Sequence, residues 1–104
     1  MLDVKSWLET TGMEVAENHF KKPPALPYVV FLESGNYGGA DSKNCIADRS
    51  ITIELYSDKI NETAEAKIEA LLNDIAKEYL KDRIWIDSER RFQTMYDFNL
   101  LEKF

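Results

Sequence analysis

Between Glu62 and Leu80 the apolar residues Ala64, Ile68, Leu71, Leu72, Ile75, Ala76 and Tyr79 recur every three or four positions. At 3.6 residues per turn this spacing gathers them into one stripe along a helix. Glu65, Glu69, Asn73, Lys77 and Glu78 fall on the opposite, polar side. Asn61 stands where an N-cap would, and Glu62 just inside it complements the helix dipole. The stripe carries no ligand residues for a metal or cofactor, so it reads as a core face. Fully burying Ile68, Leu71, Leu72 and Ile75 contributes about 1.5–3 kcal/mol each. A shorter helix is expected from Leu2 to Thr11, where Val4, Trp7 and Leu8 share a face and Gly12 follows as a terminator.

The remaining pattern has period two. "MEVAENHF" predicts a brief extended segment before Pro23, Pro24 and Pro27, which cannot donate to a sheet ladder. "YVVFL", Tyr28 to Leu32, is apolar on both faces and reads as a buried strand. A glycine-rich surface loop is expected over Ser34 to Ser42, followed by "KNCIA" and "SITIELY" as two strands of a hairpin turning at Asp48-Arg49. Ile51, Ile53 and Leu55 alternate with Thr52, Glu54 and Tyr56, as in a sheet with one side on a core. In "IWIDSERRFQTMYDFNL" two alternating runs meet at a polar stretch, a hairpin reversing near Ser88 to Arg90. Phe92, Thr94, Tyr96, Phe98 and Leu100 share one of its faces. The expected fold is α+β: a mostly antiparallel sheet with two helices on one face, in a single domain over residues 1–104.

Composition narrows the function. The net charge of −6 and the scatter of Lys and Arg speak against specific nucleic-acid binding, which needs clustered cations. Cys45 is alone, which excludes an internal disulfide and marks it as a small apolar filler. The first residues lack an apolar run of signal-peptide length, and no stretch reaches the roughly 20 apolar residues of a membrane helix. The expected site of synthesis and folding is therefore the cytoplasm, with no membrane partner.

The search for chemistry finds few parts. His19 is the only histidine, and one His with one Cys cannot make a structural zinc site. Ser88 has no adjacent base and no nucleophile-elbow pattern around it. "GNYGG" lacks the Lys-Ser/Thr pair of a phosphate-binding loop. Glu54 and Glu62 lie on separate elements without the spacing of a hydrolytic pair. The expectation is no catalytic residue, no metal and no cofactor.

The order of the pieces adds a resemblance. "NHFKKPPALPYVVFLESG", "GADSKN", "SITIELYSDKINETAEAKIEALLND" and "WIDSERRFQTMYDFNL" follow one another from a proline-rich entry to a closing aromatic hairpin. Together they resemble small tail-completion, tail-terminator or head-to-tail joining proteins of long, non-contractile-tailed phages and prophages of Gram-positive bacteria. The resemblance runs from about Leu2 to Leu100. It implies an α+β subunit of a homo-oligomeric ring, a hexamer, at the head-proximal end of the virion tail. There it would stop tube growth and meet the major tail-tube protein and the head-completion connector. Such a subunit needs exposed apolar or edge surface, and Trp7, Asn36, Tyr37, Asp41 and Trp85 are the candidate interface residues. The rival is a small ligand-binding or enzymatic module, recognisable by a deep apolar pocket around His19 or Ser88.

If "DSERR" is only a turn, Ser88→Ala should change stability by no more than about 0.5 kcal/mol in a denaturant melt. A larger loss would give that serine a role the pattern does not.

Overall fold

Asn61 starts the long helix as its position suggests. Its Oδ1 accepts from the Ala64 N–H at 3.0 Å, and its carbonyl accepts from the Glu65 N–H at 3.0 Å. The computed structural model of the chain describes residues 2–38, 46–75 and 78–103. In chain order the elements are α1 (Val4–Glu9), β1 (Val15–Glu17), β2 (Tyr28–Gly38), β3 (Ile46–Ser57), α2 (Glu62–Ile75), β4 (Leu80–Ile86) and β5 (Arg91–Lys103). A 3₁₀ turn over Asp87–Glu89, with Arg90 in the left-handed region at φ 54°, closes the last hairpin where the sequence placed it.

The strands form one five-stranded sheet in the order β1-β2-β3-β5-β4. Only β1 pairs in parallel, Val15 opposite Val29; every other pairing is antiparallel. Alternation decides the faces. Val29 and Phe31 of β2, Ile51, Ile53 and Leu55 of β3, and Tyr96 and Phe98 of β5 point to one side. Val4 and Leu8 of α1 and Ala64, Ile68 and Leu72 of α2 meet them there in a single core. Both helices therefore lie on one face, in the expected α+β arrangement.

Four expectations are corrected. Asp48-Arg49 is no turn: β3 runs straight through it, with Asp48 opposite Asn36 and Leu101. The loop expected from Ser34 begins later, because Ser34 to Gly38 continue β2 against Ser50 to Ile46; its remainder lies outside the described residues. The long helix stops at Ile75, which is exposed, and Leu80 opens β4 instead of closing α2. Ala76 lies outside the described residues, while Tyr79 packs edge-on against Tyr96 with centroids 5.9 Å apart. Finally, Glu65 is buried rather than on a solvated face.

The short helix is also trimmed to Val4–Glu9, and the reason is local. Asp3 caps it through the Ser6 N–H at 3.2 Å. At the other end the Thr10 and Thr11 hydroxyls donate to the carbonyls of Trp7 and Leu8, at 2.6 and 2.7 Å. Those bonds close the last turn in place of further helix, and Gly12 at φ +86° then turns the chain.

Leu72 is fully buried against the sheet. Leu72→Ala should cost about 2–5 kcal/mol by lost transfer energy and a residual cavity, measured by denaturant unfolding; a loss under about 1 kcal/mol would contradict this packing.

Candidate protein interface

Two polar networks brace the core before any surface is considered. Glu65 projects from α2 toward the β4–β5 hairpin with its side chain only 4% exposed. It accepts from Arg83 Nε at 2.9 Å and Nη2 at 2.6 Å, from Lys81 Nζ at 3.0 Å, and from the Thr94 hydroxyl at 2.9 Å. The Arg83 hydrogen bonds hold its carboxyl down near 2 against the opposing effect of burial, with Lys81 and Thr94 adding to them. Beside it, Glu69 accepts from Lys81 at 2.7 Å and from the Tyr96 hydroxyl at 2.8 Å. Burial first, and then this hydrogen bond to Glu69, push the Tyr96 phenol up.

Each of these carboxylates is committed to donors, so the cluster clamps α2 to the hairpin. The cleft over it, about 240 Å³, is lined by Glu62, Glu65, Ala66, Glu69, Lys81 and Arg83. His19 and Ser88 line neither this cleft nor the larger groove described below, and both are exposed.

The second network fixes the opposite end of the sheet. Arg49 of β3 donates through Nε to Glu33 of β2 and through Nη1 to Glu102 of β5 at 2.5 Å and to the Leu2 carbonyl at 2.9 Å. The Leu2 N–H in turn donates to Glu102 at 2.9 Å. One guanidinium thus ties three strands and the chain's start together, and its hydrogen bond to Glu33 raises its pKa further.

The sequence-derived interface residues do not come together. Trp7 is half-buried, its ring 6.0 Å from Phe98, and packs on the core. Trp85 is 42% exposed. Its ring meets Phe92 edge-on at 4.9 Å, Arg90 lies 5.7 Å from its centroid, and its Nε1 donates to Asp87 at 3.2 Å. Asn36 and Tyr37 are strand residues opposite Asp48 and Ala47. Trp85, opposite Phe92 and thus level with Ser57, lies at the other end of the sheet, about 33 Å away along the strands. Asp41 lies outside the described residues.

The sequence reading missed the large apolar residues most exposed among the described residues, Leu80 at 75% and Leu101 at 72%. With Ile75, Tyr79 and Phe98 they line an open groove of about 760 Å³ between the end of α2 and the outer edge of β5. A signal was available for Leu101. It sits on the face of β5 that Gln93, Asp97 and Asn99 mark as polar, so an apolar residue there breaks the alternation.

No known family's sequence profile matches the chain, and no curated protein matches it. In fold it is similar to a chain of a solved structure described as "Virion of native gene transfer agent (GTA) particle". The TM-score is 0.63 over 93% of this chain and 84% of that chain, at 15% identity. At that identity the likeness is one of fold. Among the described residues no helix is long and apolar enough to cross a membrane.

Glu65 sets a pH dependence. Its folded pKa lies below the ordinary carboxylate value of 4.5, so its contribution is fully present above that value and is lost as the pH falls through about 2. Glu65→Gln should cost about 2–3 kcal/mol at neutral pH, since charged hydrogen bonds are lost while the half-exposed cations regain water. The gap between wild type and variant should narrow across that acid window in urea melts. A gap independent of pH would contradict the clamp.

Proposed function

We propose that the chain is a structural protein of a phage or phage-like virion, a subunit of a ring at the head-proximal end of the tail. In this role it stops growth of the tail tube and joins the tail to the head connector. The observation that carries the reading is the fold likeness to a virion chain over 93% of this sequence. The ordered resemblance of its sequence pieces to tail-completion proteins points the same way. A role in assembly also suits a molecule whose buried carboxylates are spent on bracing and whose surface keeps apolar side chains in water.

The helix-free face of the sheet supports the placement around a passage for DNA. In the middle of this face Asp48, Ser50, Thr52 and Glu54 of β3 lie beside Asn99 and Asp97 of β5, while Arg91 of the same face lies at its Trp85 end and donates to the Tyr28 hydroxyl at 2.6 Å. A wall of hydroxyls, amides and carboxylates does not retain phosphates, whereas a basic one would hold the genome through counterion release. The partners of this reading are further copies of the chain, six to a ring, the major tail-tube protein and the head-completion connector. Trp85, exposed and braced by Phe92 and Asp87, is the sequence-derived residue best placed to enter a partner's pocket. Trp7 adds to subunit packing only indirectly, through Phe98. Asn36 and Tyr37 belong to the β2–β3 end that this reading turns toward a neighbour, and Asp41 is kept as a candidate on its sequence alone.

Removing the gene from the phage or prophage that carries it tests the role. Electron microscopy should show filled heads beside unattached tails, or tails of uncontrolled length, and a plasmid copy should restore joined particles. Joined, infectious particles of normal length from the deletion would end the proposal.

A further inference from the structure

The far half of the sheet is a three-stranded ribbon with two open flanks. The β1 pairing covers β2 only from Val29 to Phe31, and the last contact there is the Asn18 N–H to the Phe31 carbonyl at 2.8 Å. Beyond it, Leu32 to Gly38 have no strand on their outer side among the described residues. The β4 pairing with β5 begins at Leu80 opposite Asp97, so Phe98 to Lys103 have none either. The two open segments lie at the same level. Leu32 is opposite Thr52, which is opposite Asp97, and Gly38 is opposite Ile46, which is opposite Lys103. Both strands run antiparallel to β3 and therefore in the same direction.

An open edge presents a row of unpaired N–H and C=O groups, and natural sheets guard long ones with charges, prolines or bulges. The other edges here are guarded: β1 is three residues long, and β4 carries Lys81, Asp82 and Arg83. The flanks of the ribbon are not. Phe98 to Leu101 hold no charge, neither segment contains proline, Glu33 and Glu102 are bound inward by Arg49, and the one remaining charged residue, Lys103, stands at the very end of its segment. The β5 flank also borders the open groove, in which Glu78, Asp97 and Asn99 stand beside Ile75, Tyr79, Leu80 and Leu101. On β2, Leu32 is exposed on the same sheet face as Leu101, and Gly35 has no side chain to obstruct an approach.

We infer that copies of this chain join by strand addition, the β2 flank Leu32–Gly38 of one lying parallel to the β5 flank Phe98–Lys103 of the next and filling the groove beside it. The joint rests on the reading of the chain as a ring-forming subunit and says which surfaces make the ring. The two flanks are different surfaces on opposite sides of one ribbon. A contact between them is head-to-tail; such contacts do not stop at two-fold dimers, and they make a ring where the rotation from copy to copy closes. Main-chain hydrogen bonds supply the joint and the groove supplies register, as in other strand additions.

The first measurement uses the unmodified protein: amide hydrogen exchange at concentrations where it is assembled and, after dilution, where it is monomeric. Assembly should slow exchange within Leu32–Gly38 and Phe98–Leu101 and leave β4 unchanged. Slowing confined to β4 or to the helices would overturn the inference while leaving the ring intact. A chain monomeric at every concentration would instead remove the ring reading and the joint with it.

Variants then separate head-to-tail from two-fold contact. Successive strand residues turn their N–H groups to opposite sides, so one of Ser34→Pro and Gly35→Pro removes only an outward donor. The member that keeps the wild-type melting temperature is used, together with Leu101→Lys on the other flank. Each alone should be monomeric in light scattering. Mixed in equal amounts they should give a one-to-one heterodimer and nothing larger, since one intact β2 flank meets one intact β5 flank. Rings from either variant alone, or a mixture that stays monomeric, would overturn the joint.

Discussion

A guanidinium at 5% side-chain exposure sits in the middle strand of the sheet, and the shape of the molecule depends on how its charge is met. Burying an unpaired cation costs several kcal/mol even after relaxation. Arg49 avoids this by binding Glu33 on one neighbouring strand, Glu102 on the other and the Leu2 carbonyl above. Because those partners come from β2, β5 and the chain's start, the charge is satisfied only when all three are in register. The same bonds keep β3 extended through Asp48-Arg49, where a polar pair could otherwise have turned the chain. A β3 of full length, Ile46 to Ser57, then lets β2 and β5 extend alongside it and produces the ribbon with two open flanks.

This dependence also explains what was legible in the sequence. The stripe of α2, its Asn61 cap, the alternation of Ile51, Ile53 and Leu55 and the closing hairpin were readable because each rests on local period or local chemistry. The run of Asp48-Arg49 through a strand was not, since its justification lies in Glu33 and Glu102, distant in sequence. Glu65 misled for the same reason: a carboxylate opposite an apolar stripe looks solvated until Arg83, Lys81 and Thr94 are seen to surround it. The end of α2 was overrun because Tyr79 kept the helical spacing while in fact packing on Tyr96 from a connecting segment. Of the interface candidates, Trp85 is exposed and Trp7 is chiefly core. Leu80 and Leu101 escaped notice because a single apolar residue on a polar face is ordinary until a groove is found beside it.

The architecture divides its tasks by face and by edge. One face of the sheet carries both helices and the main core, fastened by the Glu65 and Arg49 networks at its two ends. The other face is free of helices; it bears Asp48, Glu54 and Asp97 among hydroxyls and amides along its middle, and the stacked rings of Tyr28 and Tyr56 toward the Trp85 end. In the proposed ring these become the outer layer and the wall of the passage, while the unguarded strand flanks face neighbouring copies.

The central claim is that this chain is a component of a virion at the junction of head and tail. Purified particles from the phage or prophage encoding it, examined by mass spectrometry and cryo-electron microscopy, test that most directly. The account predicts the chain in a fixed small number of copies per particle, with a ring of density at the junction that accepts this sheet and its two helices. Joined particles that contain none of the chain, or that carry it elsewhere, would contradict the account.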